Sequence, residues 1–191
     1  MPKKNQPEKV YQFHISLKHS KPKVWRRFLV ADNATLERLH KIIQEVMGWE
    51  DYHLHEFTVG EKQYGMAEIV DYKEIEDEKK VKLSDLNLAE KQKFEYLCDF
   101  GDSWEHEIKV EKILPFETTA KYPKCLDGKL ACPPEDCGSL WGYVELSELN
   151  KLPKDELDEE GLERLEWLGD YNFEHFSVDE VNSVLWKRFA K

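Results

Sequence analysis

Residues 11–30 read YQFHISLKHSKPKVWRRFLV, and the alternation inside this run decides the fold class. Tyr11, Phe13, Ile15 and Leu17 are apolar, while Gln12, His14, Ser16 and Lys18 between and after them are polar. A period of two is the mark of a β-strand with one wet face. Ser20–Lys23 contains Pro22 and reads as a turn, and Val24–Val30 reads as the return strand, so the run is a hairpin. His14 falls on its outer face as a bystander.

Working outward, Leu36, Leu39, Ile42, Ile43, Val46 and Met47 form one helical stripe, and Gly48 supplies a C-terminal stop. Period two returns at His53, His55, Phe57 and Val59, followed by a turn at Gly60–Glu61 and a short strand near Gln63–Gly65. Residues 71–92 are charged and weakly patterned, which predicts a surface loop ending in a helical turn around Ser84–Leu88. Phe94, Tyr96 and Cys98 share one strand face, and Trp104, His106, Ile108 and Val110 share another. If both faces point the same way, Cys98 pairs with Trp104 and Asp99–Ser103 is a five-residue hairpin loop.

From Leu114 to Gly138 no periodicity is visible, which predicts a long Pro/Gly/Cys loop. Helices are expected over 140–149, over 154–168 with a break at Gly161, and over 178–189, the last with a Ser177/Glu180 capping box. Together these readings predict a single α+β domain, a mostly antiparallel sheet with helices packed on it and a helical C-terminal third. A flexible basic tail over 1–9 would precede a domain over 10–191.

Composition narrows the function. The 40% apolar content, with six Trp, eight Tyr and nine Phe, excludes a disordered chain. No apolar run approaches the roughly 18 residues of a membrane span. The N-terminus MPKKNQPEKV lacks the apolar stretch of a secretory signal, so a cytoplasmic location is expected. The net charge of −11 disfavours broad nucleic-acid binding. It is unevenly spread, however: residues 1–30 carry eight Lys/Arg against one acid, leaving −18 on the rest.

Four constellations could carry chemistry. His53, His55 and His106 all fall on inward faces near strand ends, where imidazoles can share a metal with Asp99 or Asp102 or can be ordinary core residues. Cys125, Cys132 and Cys137 are spaced C-x6-C-x4-C and could hold a structural zinc that orders the long loop. In the PPED run at 133–136, Asp136 is placed to cap a helix starting near Gly138. Trp25, Trp49, Tyr52, Trp104, Trp141 and Tyr143 adjoin these stretches and supply stacking surfaces, with Arg26 and Arg27 nearby in sequence.

Four ordered motifs carry a family resemblance: the hairpin run quoted above, GWEDYHLHEF, DFGDSWEHEI and YPKCLDGKLACPPEDCGSLWGY. Over residues 10–190 the chain resembles the plasmid pRiA4b ORF-3-like family. The resemblance implies an α+β domain, and it carries no established activity; an association with mobile elements has given some members a recombination-related label. Cys98 replaces a common aromatic, and Ser139 replaces a glycine of the family pattern CPPEDCGG.

Three functions follow as expectations. The first is a non-catalytic binding or accessory module whose pocket is lined by His53, His55, Asp99, Asp102, Trp104 and His106, with an unidentified protein or small molecule as partner. The second is a metal-dependent hydrolase or nuclease using His53, His55, His106 and Asp102. The third is nucleic-acid contact through Lys18, Lys21, Lys23, Arg26 and Arg27, in a mobile-element accessory protein.

Overall fold

The computed structural model describes residues 6–66 and 75–189. Strands β1 (Lys9–Leu17) and β2 (Trp25–Ala31) form the expected hairpin, with Phe13 opposite Phe28. Helix α1 (Leu36–Met47) follows; Thr35 caps its start by accepting the Arg38 N–H, and Gly48 ends it at φ 101°, where a β-carbon would be strained.

Next come β3 (His55–Val59), β4 (Lys62–Gly65) and the three-residue β5 (Ile75–Asp77). A 3₁₀ turn at Leu83–Leu86 leads to β6 (Lys93–Cys98) and β7 (Trp104–Pro115). Strand β8 (Lys124–Lys129) and helices α2 (Ser139–Leu149), α3 (Glu159–Leu168) and α4 (Val178–Phe189) complete the chain. The eight strands make one sheet in the order β5-β4-β3-β6-β7-β1-β2-β8, antiparallel except where β4 meets β5. This is an α+β fold. Among the described residues, no helix is long and apolar enough to cross a membrane.

The parity argument for the central hairpin holds: Cys98 pairs with Trp104, and the connection is Asp99–Ser103. Two rows of core-facing residues result. One runs His55–Cys98–Trp104; the other runs Phe57–Tyr96–His106–Leu17. The apolar stripe of α1 covers this face, with Leu36, Leu39, Ile42, Ile43, Val46 and Met47 all buried.

The structure revises several segments. The aperiodic stretch from Leu114 to Gly138 is not one loop, because β7 continues to Pro115 and β8 pairs antiparallel with β2. The short β8 is an edge strand, and α4 closes it. The buried Asn182 side chain accepts from the Cys125 N–H at 2.8 Å and donates to its carbonyl at 2.9 Å. A β-carbon on Gly128 would stand 2.6 Å from the Phe176 ring and 2.8 Å from Arg26 Cδ, so only glycine fits there.

Within the 71–92 stretch, residues 71–74 lie outside the described residues, and the remainder contains β5. The C-terminal third is only partly helical, and α1 stands among the strands. Gly161 does not break a helix. It lies in the first turn of α3, its N–H bonded to the Asp158 cap after a separate 3₁₀ turn at Lys154–Glu156. At the N-terminus, residues 1–5 of the expected tail lie outside the described residues, and Lys9 already belongs to β1.

Candidate functional site

The histidines on the core face do not gather around one point. His55 is buried and stacks on His40 of α1, ring centroids 3.3 Å apart and planes within 3°. Its Nε2 meets the buried carboxylate of Glu78 at 2.8 Å. His40 Nε2 meets Asp51 at 2.5 Å, and its Nδ1 meets the Tyr96 hydroxyl at 2.8 Å. One tautomer satisfies these contacts: Tyr96 donates to Nδ1, and Nε2 donates to Asp51. Gln44 closes the network by donating to Tyr96 and by accepting the Asp51 N–H. Burial, followed by the neighbouring His55, holds the His40 pKa well below its ordinary value.

His106 occupies a different place. It is fully buried between Tyr96 and the edge of Trp49, at centroid distances of 5.4 and 5.3 Å. Burial pushes its pKa down to about 4; backbone groups of Trp104 and Tyr96 offset part of this, although neither ring nitrogen makes a hydrogen bond of normal geometry. His53 is the one that departs from the inward reading. It precedes β3, is a quarter exposed, and lies between two carboxylates: Nδ1 is 3.6 Å from Asp99 Oδ2, and Nε2 is 3.9 Å from Asp136 Oδ1. His55 and His106 both lie against the buried Tyr96 ring, and among the described residues neither joins His53 in a set of close ligand atoms.

The three motif loops meet around His53. Trp49 Nε1 donates to the Pro133 carbonyl at 2.9 Å, and the Glu50 N–H donates to Glu135 at 3.1 Å. The Gly138 N–H donates to Asp102 at 3.3 Å, which ties segment 133–139 to the central hairpin loop. Within that loop, Asp99 Oδ1 accepts from the N–H groups of Gly101 and Asp102, leaving Oδ2 toward His53. Asp136 does not cap α2. The cap is Gly138, without a side-chain bond, while Asp136 stands exposed at φ 58° facing His53.

Backbone strain concentrates here. Nine described non-glycine residues have positive φ, and five of them, Asp51, Asp99, Ser103, Asp136 and Ser139, belong to these loops. Each such residue costs ~1 kcal/mol, and strain of this kind gathers at functional sites. Tyr52, Leu54, Phe100 and Trp141 are exposed beside the junction, and Trp167 borders the cleft at Asp136 and Cys137. Of the sequence-derived aromatic set, Trp49, Trp104 and Tyr143 are core, Trp25 is half-buried against His14, and Tyr52 and Trp141 reach solvent.

The thiols have other roles. Among the described residues, the one set of three His, Cys, Asp or Glu ligand atoms lying within 4.8 Å of one another is His53, Asp99 and Asp136. Cys125, Cys132 and Cys137 do not form such a set. Strand pairing orders Lys124–Lys129, with Cys125 Sγ near the carbonyls of Arg27 and Asp127. Burial raises the thiol pKa of Cys125 to about 11 and that of Cys137 to about 12, and it lifts Cys132 further still.

The basic stretch is also largely committed. Lys18 pairs with Glu95 and Glu105, and Arg27 grips Glu111 through two nitrogens at 2.6 and 3.0 Å while reaching Asp127. Arg26 is buried. It donates to the carbonyls of Val46, Trp25 and Lys129, and its guanidinium lies 4.2 Å from the Phe176 ring centroid. Lys23 donates to the Leu17 carbonyl at 3.2 Å. Of the five expected phosphate contacts, Lys21 and Lys23 stand exposed at the turn.

Sequence reasoning missed His40 and Asp136 as members of these sites. His40 was legible, being four residues after Leu36 and three before Ile43 on the buried stripe. Glu78 carried no signal, because it lies in a run of charged residues and only the fold buries it.

A single eight-stranded sheet whose three loop motifs close on one end defines the class. The chain belongs to the family described as plasmid pRiA4b ORF-3-like protein, whose model matches residues 9–180. It is 35% identical to "Uncharacterized protein y4hQ" of Sinorhizobium fredii, covering 95% of this chain and 96% of that protein. It is also similar to a crystal structure titled as a protein of unknown function, MM3350 from Methanosarcina mazei Go1. That match has 40% identity and a TM-score of 0.82, and it covers 92% of this chain and 98% of that one.

Proposed function

We propose that the protein is a binding or accessory module that recognises a cationic ligand at the loop junction. The observation that carries this reading is the meeting of segments 49–55, 99–104 and 133–141. Three separate loops are held there by cross-loop hydrogen bonds in strained conformations. The chemistry of the surface sets the ligand's sign. Asp99 and Asp136 flank His53, Glu50, Asp102 and Glu135 lie on the same three loops, and Tyr52 and Trp141 offer exposed rings to a cation. The charge of −18 on residues 31–191 adds long-range attraction of the same sign.

Calorimetric titration with an oligo-lysine peptide and an oligo-glutamate control tests the reading. Oligo-lysine should bind, weaken as salt rises, and weaken about two- to fivefold in Trp141→Ala, the worth of one exposed cation–π contact. Equal binding of both peptides, or oligo-lysine affinity unchanged in Glu50→Gln/Glu135→Gln/Trp141→Ala, contradicts it. Turnover of a defined substrate that disappears in Asp136→Asn would replace it with a catalytic reading.

A further inference from the structure

The geometry points to a binding site for one divalent transition-metal ion, held by His53, Asp99 and Asp136. It rests on the cationic-ligand reading and names the cation for the centre of that surface. The starting observation is that one ligand atom from each of His53, Asp99 and Asp136 lies within 4.8 Å of the others, with no hydrogen bond between His53 and either carboxylate. His53 Nδ1 to Asp99 Oδ2 is 3.6 Å, and Nε2 to Asp136 Oδ1 is 3.9 Å. Normal N–H···O bonds span about 2.7–3.2 Å. One ion takes only one ring nitrogen, and ligand atoms each about 2.1 Å from it stand roughly 3–3.4 Å apart, so the set closes on one His53 nitrogen with a small side-chain movement.

A second observation is the burial of one ring nitrogen. His53 Nε2 is shielded from solvent and has no hydrogen-bond partner, an arrangement that leaves a polar atom uncompensated. The support around the ligands also fits. Asp99 Oδ1 is fixed by the N–H groups of Gly101 and Asp102, so the carboxylate is oriented with Oδ2 toward His53. Bonds of this kind from outside the coordination shell are what orient metal-binding carboxylates. Asp136 is four-fifths exposed, so its side chain is free to move the small distance that closes the set.

The donor set selects the ion. One imidazole with two carboxylates suits Mn²⁺, Co²⁺ or Zn²⁺; Mg²⁺ takes oxygen ligands, and no thiolate is present to favour Cu(I). Three protein ligands leave further coordination positions on the side of the exposed Asp136.

The test uses the full chain, stripped with a chelator and titrated with Mn²⁺, Co²⁺, Zn²⁺ and Mg²⁺ by calorimetry, with the visible spectrum recorded for Co²⁺. One transition ion per chain should bind, at least tenfold more weakly in His53→Gln and in Asp136→Asn. Melting of the metal-free variants should match wild type, which separates lost ligation from lost folding. Absence of binding by all four ions overturns the site, as does stoichiometric binding untouched by both substitutions. Mg²⁺ binding equal to that of Zn²⁺ also overturns it, since that is a diffuse acidic surface without an imidazole ligand. If the metals fail while oligo-lysine still binds, the metal site falls and the cationic-ligand reading stands.

Discussion

The chain has two kinds of histidine site within a few residues of each other, and they are built on opposite terms. The His40–His55 stack is enclosed: Asp51 and Glu78 meet one ring each, Tyr96 and Gln44 complete the network, and protein covers both rings. At His53 the two carboxylates stand too far away for hydrogen bonds, and Asp136 lies open to solvent. An enclosed network in which only His55 Nδ1 lacks a partner specifies packing, and a more open one with an exposed carboxylate is available to something else. The two sites differ by two positions along one segment, so the end of a strand separates a folding role from a binding role.

Breaking the enclosed site should have the largest effect. Glu78→Ala leaves the buried His55 Nε2 without its partner, and orphaning a buried polar group costs about 1–3 kcal/mol. Urea unfolding of Glu78→Ala should show that loss. A change below about 1 kcal/mol would mean the pair contributes little to folding.

Acid should erode the interior next. His40 and His106 have folded pKa values depressed below the unfolded value of about 6.5, His106 to about 4. The unfolded state therefore binds more protons than the folded state between those limits. The stability these rings contribute is fully present above about pH 6.5, and it is lost as pH falls toward 4. The slope approaches about 1.4 kcal/mol per pH unit for each histidine. Unfolding measured at pH 7.5, 6 and 5 should follow this course, and His106→Phe should flatten it. Stability independent of pH across that range would contradict the enclosed assignment.

A smaller effect is expected on the outer sheet face. Arg27, then Gln12, hold the Glu111 carboxyl down to about 2, so this contribution is present above the unfolded value of about 4.3 and is lost as pH falls through about 2. Both groups are partly exposed, and Arg27→Ala should cost about 0.5–1 kcal/mol at neutral pH by chemical denaturation. The smallest change belongs to the open site. Asp136→Asn should alter stability by less than about 0.5 kcal/mol while removing cation affinity, and a variant that unfolds readily would assign Asp136 to folding instead.

The sequence carried the sheet where strands are long and one-sided. Period two located β1, β6 and β7, and parity alone placed Cys98 opposite Trp104. It failed where strands are short or flanked by charge. In β8, KCLDGK presents only Cys125 to the core, and Asn182, 57 residues later, fixes that strand's edge. β5 is three residues and depends on β4 for its existence.

At the site, the motif segments were identifiable but their partners were not. His55 and His106 faced inward as parity requires, yet direction alone does not say which side chains meet. The stacking partner of His55 came from the helix, and the neighbour of His53 came from a residue read as a helix cap. The basic hairpin illustrates the same limit, because its charges are matched by Glu95, Glu105 and Glu111 from distant strands.

The most direct test of recognition at the loop junction is to record backbone amide NMR spectra during titration with oligo-lysine, then with Zn²⁺. The account requires shifts confined to residues 49–55, 99–104 and 133–141, with little change at His40 or Glu78. Shifts centred elsewhere would contradict it, whether on the outer face around Arg27 and Glu111 or in the cleft of about 500 Å³ between Arg38, Lys121 and Phe189.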